Sequence, residues 1–309
     1  MNESARAALI ELLGVLRGAG YQFVTPTPAT HARVIARADK KSGRNLRDVF
    51  GWNVPFTHSA LESHSAILDL LAKADALEER DGLLRSRLRV SSGGDNLFLH
   101  SAFPTTQHDA VFFGPDSYRF VDFVAAELPN VGPIGRLADI GCGTGVGAIM
   151  AAQATNLHAL VLSDINQRAV DLAEVNSAGA AAAVEIRRTN ALDGVDGMID
   201  CIIANPPYIA DPAHRAYRDG GDMHGGELSV RWAKLAAERL ERGGAFLLYT
   251  GSAIIGGEDL LKAALFEALA GFDLRYREID PDVFGEELER EDYADVDRIA
   301  AVGLVAVKL

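Results

Sequence analysis

The 309-residue sequence predicts an α/β fold: a doubly wound, mostly parallel seven-stranded sheet with an antiparallel terminal pair, preceded by a smaller N-terminal region of helices and a little β-structure. Three observations carry this expectation. From about Phe112 short apolar runs alternate with helix-length segments, the signature of a parallel sheet covered on both faces. The first 105 residues lack that alternation. The last part, Phe272–Ile279 and Ile299–Lys308, offers two strand-like runs with no clear helical segment between them, hence an antiparallel pair. A chain of this length favours two folded units, read here as 1–105 and 106–309.

The elements follow in order. Residues 2–17 and 58–80 carry apolar positions three or four apart, such as Ile67, Leu68, Leu71 and Leu77, and read as helices. Thr25-Pro26-Thr27-Pro28 breaks the chain between them. Leu88–Ser91 and Leu97–Ala102, joined by Ser92-Gly93-Gly94-Asp95-Asn96, read as a hairpin. Five strands are then expected at Arg136–Ile140, Ala159–Asp164, Val184–Arg188, Ile199–Ala204 and Ala245–Thr250, with helices over 145–155, 166–178 and 227–242.

Composition narrows the class. Hydrophobic residues make up 48% and charged residues 24%, values of a globular protein that buries a core. No apolar run approaches the roughly 18 residues that span a bilayer, and the acidic, amphipathic N-terminus does not read as a signal peptide. Cys142 and Cys201 both sit in apolar, strand-like surroundings, so a reduced, cytoplasmic setting is expected. No cluster of metal ligands is seen in the sequence, and no membrane contact is expected. The net charge of −13 is uneven, with 13 basic and 12 acidic residues in 1–110 but 17 and 31 in 111–309. The acidic body disfavours an indiscriminate grip on phosphate backbones. Against it stands 31–47, where Arg33, Arg37, Lys40, Lys41, Arg44 and Arg47 are grouped with only Asp39 among them. That run is either a solvated face or a contact surface for an acidic or nucleic-acid partner.

Asp139-Ile140-Gly141-Cys142-Gly143-Thr144-Gly145 falls where the first strand of the alternating part turns into its helix. Glycines there allow a sharp bend and let a ligand touch bare backbone, at the strand ends where open α/β sheets bind ligands. A glycine-rich turn alone would be no more than a tight connection. The dinucleotide fingerprint also needs glycine at 146, where this chain has Val146. The spacing instead resembles the D-x-G-x-G-x-G loop of Rossmann-like class I methyltransferases. Asp164 ends the next strand, 23 residues after Gly141; a carboxylate there can accept hydrogen bonds from both hydroxyls of a ribose. Asn190 follows the third strand, where that family commonly sets an Asp or Asn against an adenine amino group.

Asn205-Pro206-Pro207-Tyr208 directly follows the apolar strand CIIA. Two prolines at a strand end could be a simple stop. The residue types, however, suit a planar nitrogen whose lone pair is delocalised. The Asn205 side-chain oxygen and the Pro206 carbonyl can each accept one N–H, holding such a nitrogen in line with an electrophilic methyl. Pro207 fixes its own φ and biases Pro206 toward an extended conformation, so that the carbonyl is aimed in advance. Tyr208 can stack on a planar substrate and face developing positive charge. Positioning and fixed dipoles then matter more than a strong base.

The ordered set DIGCGTG, LVLSDI, TNAL, NPPYI and GGAFLLYTG resembles the HemK-type polypeptide glutamine N-methyltransferases and their relatives acting on amino groups of adenine or guanine, over roughly 112–309. The resemblance implies S-adenosylmethionine as cofactor, S-adenosylhomocysteine as product and no metal. It implies a catalytic motif of Asn205, Pro206, Pro207 and Tyr208. The implied cofactor site is Asp139, Gly141, Cys142, Gly143, Gly145, Asp164, Ile165, Asn190, Ala191 and Asn205, with Phe113, Tyr118 and Tyr208 toward the substrate. The segment Phe113-Gly114-Pro115-Asp116-Ser117-Tyr118 differs from the R-P-x-T-E type of the release-factor enzymes. A protein or peptide glutamine is the first expected acceptor, with 1–105 as the recognition region. An RNA or DNA base, or a small molecule, is the alternative, and a cofactor-binding module without turnover is a reading from another class.

Overall fold

The computed structural model describes residues 1–155 and 157–309. The chain opens with α1 (Glu3–Gly18), capped by the Asn2 side chain, which accepts the Ala5 N–H at 2.8 Å. Its buried stripe, Ala5, Ala8, Leu9, Leu12, Leu13 and Leu16, has the helical spacing the sequence showed. α2 (Pro28–Ile35) starts at the Thr-Pro break, with Thr27 as N-cap and Pro28 in the first turn. The helix expected over 58–80 holds only in part, and residues 77–80 are a strand instead. A 3₁₀ segment His58–His64 leads into α3 (Ala66–Lys73), and the chain then extends as β1 (Leu77–Arg80) paired antiparallel with β2 (Leu83–Ser86). The reason is local: Asp81 and Gly82 both take positive φ, 53° and 75°, as a two-residue hairpin turn requires. The one hairpin the sequence predicted is present as β3 (Leu88–Gly93) and β4 (Asn96–Ser101).

After α4 (Pro115–Glu127) the alternation begins: β5 (Arg136–Ile140), α5 (Val146–Ala154), β6 (Ala159–Asp164), α6 (Gln167–Gly179), β7 (Glu185–Arg188), β8 (Ile199–Ala204), α7 (Glu227–Arg239) and β9 (Leu240–Ile255). The short β10 (Glu258–Asp259), α8 (Leu260–Ala268), β11 (Phe272–Asp280) and β12 (Arg298–Lys308) complete it. The main sheet runs β11-β12-β9-β8-β5-β6-β7, with β10 appended to β9. β5 to β9 are parallel neighbours, and β12 lies antiparallel between β9 and β11, as the terminal pair predicts. Alternate residues feed opposite cores. Leu137, Cys201, Ile203 and Leu247 face Phe120 and Phe123 of α4, while Ala138, Ile202, Phe246 and Leu248 face Trp232, Ala233 and Ala236 of α7. Burial on both faces is why these strands read as unbroken apolar runs. The order reverses beside β5, whose neighbours are β6 and β8, which opens a crevice at their C-terminal ends.

The N-terminal region shares its core with α6, whose Ala169, Leu172 and Val175 pack with Leu9, Leu13 and Leu99. Asn176 of α6 is fully buried; it accepts the Leu99 N–H at 2.8 Å and donates to the carbonyls of Leu99 and Thr144 at 3.1 and 2.9 Å. One side chain thereby ties the β4 hairpin to the glycine loop. No helix among the described residues is long and apolar enough to cross a membrane.

A second polar group of the N-terminal core sets a pH dependence. Arg89, 4% exposed, donates to the Gly51 carbonyl at 2.9 Å and lies 3.3 Å from Nδ1 of His31, whose Nε2 bonds the Trp52 carbonyl at 2.9 Å. Burial first, then Arg89, lowers the His31 pKa to about 4, and the same causes hold His100 well below its usual value. A histidine depressed in the folded state protonates first in the unfolded one, so stability is lost as pH falls below about 6.5 toward the folded value. His31→Gln keeps a donor and an acceptor but cannot titrate. Between about pH 7 and pH 5 its melting midpoint falls less than the wild type's, by roughly 3–5 °C. Parallel pH curves for the two proteins in thermal melts would exclude the histidine.

Candidate functional site

The loop after β5 turns because Gly141, Gly143 and Gly145 take positive φ of 68°, 54° and 78°. At Gly141 the constraint is doubled, since a Cβ there would lie 2.4 Å from the Trp232 ring. Asp164, at the end of β6, holds this loop from the side: its carboxylate accepts the Gly143 N–H at 3.0 Å and the Asn166 N–H at 2.8 Å. Burial raises its pKa, and those backbone donors oppose the rise. Asp139, 2% exposed, accepts the Ala148 N–H at 3.0 Å, and burial pushes its carboxyl up to about 7.

β8 delivers Asn205-Pro206-Pro207-Tyr208 to the other side of the crevice. Asn205 is half-buried, whereas Tyr208 is 7% exposed. The Tyr208 ring stands over Gly251 of β9, where a Cβ would come within 2.2 Å of it, and meets Phe284 edge-on at 5.7 Å. Its hydroxyl is buried with no protein partner, as is the indole N–H of Trp232. Between the two loops lies a cavity of about 410 Å³.

That cavity is lined by Asp139, Gly141, Cys142, Gly143, Asp164, Ile165, Asn190 and Ala191, and by all four of Asn205, Pro206, Pro207 and Tyr208. Three residues singled out in the sequence lie elsewhere. Gly145 caps α5 and packs under Leu162, shaping the turn from behind. Phe113 is 2% exposed and stacks on Phe98 and His100 of β4, and the Tyr118 hydroxyl accepts the Thr25 N–H at 3.1 Å. Both serve the join with the N-terminal region. Phe112 lines the cavity instead, its ring nearly parallel to Tyr217 at 6.3 Å and 12°. Gly114 makes that room, because a Cβ there would meet Phe112 at 2.5 Å. Neighbours in an extended segment face opposite ways, so a one-residue offset moves the site from one aromatic ring to the other.

Sequence reasoning also missed what covers the cavity. The loop after Tyr208, residues 209–226, contributes His214, Tyr217, Arg218 and Asp219 to the lining, with Asp116 of α4, Trp232 of α7 and Phe284 beyond it. The loop is latched at several points. The Tyr217 hydroxyl donates to the Thr105 carbonyl at 2.6 Å, and Arg218 pairs with the buried Glu287. Tyr293 accepts the Ala210 N–H at 2.9 Å and donates to the His224 carbonyl at 3.0 Å. Asp211 and Arg215 form a two-point ion pair with both contacts at 2.7 Å, and Arg215 holds the Asp211 pKa down to about 2. Asp116, at the start of α4, accepts the Tyr249 hydroxyl at 2.7 Å and pairs with Arg119 at 3.2 Å. The local signal was faint, an eighteen-residue stretch rich in Gly, Asp and Arg with no period. Among the described residues no group of three His, Cys, Asp or Glu is placed to hold a metal ion.

Residues 120–267 match the family model described as the methyltransferase small domain. The chain is 35% identical over 96 residues to the release factor glutamine methyltransferase of Lactococcus lactis, 31% of this chain and 35% of the relative. It is 29% identical over 177 residues to the release factor glutamine methyltransferase of Cereibacter sphaeroides, 52% of this chain and 60% of the relative. A third relative, the ribosomal RNA small subunit methyltransferase C of Serratia proteamaculans, is 32% identical over 74 residues, 24% of this chain and 21% of the relative. The chain thus spans between about a third and three fifths of the length of the two release factor enzymes.

Proposed function

We propose that this chain, whose residues 120–267 match the methyltransferase small domain model, transfers a methyl group from S-adenosylmethionine to a planar amide or amino nitrogen. The observation that carries the reading is the single cavity in which the glycine loop and Asp164 face Asn205 to Tyr208. The site suits a nucleoside cofactor. A carboxylate has about four acceptor positions; two on Asp164 are taken by backbone N–H groups, leaving others for ribose hydroxyls. Asn190 and Ala191 line the adjoining wall, where an adenine would lie. The orphaned Tyr208 hydroxyl and Trp232 N–H mark a lining that protein groups alone do not satisfy.

Bound there, S-adenosylmethionine supplies an electrophilic methyl on a sulfonium. Asn205 and the Pro206 carbonyl hold the acceptor N–H groups, Pro207 stiffens that carbonyl, and the latched loop 209–226 forms one wall of the cavity. Tyr208 forms the wall beside the acceptor. We further propose that the acceptor nitrogen is a glutamine side-chain amide, the reading that the two release factor relatives support, with 1–105 as the recognition region. A base amino group is the second reading, which the relative named for ribosomal RNA supports. Labelled-methyl transfer into separated protein and RNA pools distinguishes the two, and label in neither would sink the activity.

The fit of Tyr208 over Gly251 gives a focused test. Gly251→Ala drives a methyl group into the ring, so Tyr208 must move out of its place beside Asn205. Turnover falls roughly tenfold or more while cofactor affinity, set by the opposite wall, changes little. Unchanged single-turnover rates would show that the ring position does not matter.

A further inference from the structure

The cationic segment of the N-terminal region takes no part in the cavity. Lys40 is neutralised, 2.5 Å from Asp48, and the other oxygen of this buried carboxylate accepts the Arg44 backbone N–H at 3.0 Å. Asp48 thereby folds 40–48 around itself and leaves the other cations outside. Arg33, Arg37, Lys41, Arg44 and Arg47 are exposed, and among the described residues none of them lies within ion-pair distance of a carboxylate. Beside them is a recess of about 360 Å³ whose lining includes Lys41, Arg44, Ser42, Thr57 and Ser59, with Asp39 as its one carboxylate.

α2, which carries Arg33 at the start of the ridge, is linked to the cavity lining through a chain of contacts. His31 of α2 lies against Phe103, with ring centroids 4.2 Å apart. Two residues on, the Thr105 carbonyl holds Tyr217, which lines the cavity and stacks on Phe112.

We propose that the ridge 33–47 is a docking surface for the phosphate backbone of RNA. Five like charges grouped without partners repel one another, and a polyanion neutralises all of them at once. Four of the five are arginines, whose planar fork matches phosphate oxygens in pairs. The remainder of the chain is strongly acidic, the whole carrying −13, so a polyanion is repelled elsewhere and confined to this face. The shape selects RNA over duplex DNA. α2 is eight residues long, little more than two turns, so it offers only a short helix to a major groove. The recess offers hydroxyls instead, with Thr57 and Ser59 bonded to each other at 2.8 Å and exposed, as partners for a 2′-hydroxyl. The inference is independent of which nitrogen is methylated.

The test is fluorescence anisotropy of a labelled oligouridylate of ~20 nucleotides with the full chain, as salt is raised from about 50 to about 200 mM. The expected slope of log affinity against log salt is about −3, and Arg37→Glu/Lys41→Glu/Arg44→Glu weakens binding by about tenfold or more. Lys73→Glu/Arg80→Glu, on exposed positions outside 33–47, changes it little. All three side chains of the ridge variant are exposed, and an unshifted melting midpoint shows that the fold is kept; Arg37→Gln/Arg44→Gln gives the milder loss if it is not. Equal loss in the two charge-reversal variants would assign the effect to overall charge and overturn the proposal. So would no binding, a flat salt dependence, tighter binding of duplex DNA, or competition by polyglutamate as strong as by unlabelled RNA. No methyl transfer is read, so failure here leaves the catalytic reading standing, and the converse holds.

Discussion

Asn205→Ala lowers single-turnover methyl transfer by a factor of ~100 or more, the scale on which one positioned transition-state partner acts. Affinity for the cofactor changes little, because the Asn205 side chain is asked to orient the acceptor nitrogen and only weakly to hold the cofactor. Asn205 follows the last residue of β8, and the Ile203 and Ala204 backbone beneath it is locked into the sheet against β5 and β9. Removing the amide leaves the Pro206 carbonyl in place, so one of two acceptors is lost while the strand end stays fixed. Asn205→Asp keeps an acceptor of the same shape and retains more activity than Ala, with a pH profile that follows the new carboxylate. The measurement is the single-turnover rate at saturating cofactor and acceptor. Near-normal rates in Asn205→Ala would reduce the motif to a strand stop and remove the planar-nitrogen assignment.

Asp164→Ala weakens S-adenosylhomocysteine binding by about a hundredfold or more, and two losses add to give that size. The ribose hydroxyls lose their acceptor. The Gly143 and Asn166 N–H groups lose theirs as well, so the glycine loop is no longer held in the form that meets the ligand. Asp164→Asn separates the effects: its amide oxygen can still accept one backbone N–H, so the loop is partly kept while the charge is gone. An intermediate affinity is expected from titration calorimetry. Equal affinities for wild type and Asp164→Ala would place the ligand elsewhere.

The sheet was legible because its strands are buried on both faces. β5, β6 and β8 begin and end where the apolar runs do. β9 extends to sixteen residues at both ends of its expected span, since pairing with β8 and β12 carries it past the apolar run. The helix expected over 58–80 held only at 66–73, because its apolar spacing was extended past Lys73; Asp75 takes positive φ there, and the chain runs on as β1 into the Asp81-Gly82 hairpin turn. α4 and α8 were not anticipated, and α4 matters to the site: it places Asp116 at the cavity and gives Phe120 and Phe123 to the sheet.

The sequence by itself determined the chemistry of the two loops. Positive φ at three glycines, a carboxylate at the end of β6 and a proline-stiffened turn after β8 are each specified by a few neighbouring residues and by their order along the chain. Only the tertiary structure decided which aromatic ring faces the cavity and what closes over it. Phe112 meets Tyr217, Tyr217 meets Thr105, Arg218 meets Glu287 and Tyr293 meets Ala210. Each of these pairs joins residues far apart in the chain. No local period or turn encodes such a contact; it exists only once the sheet has brought the segments together.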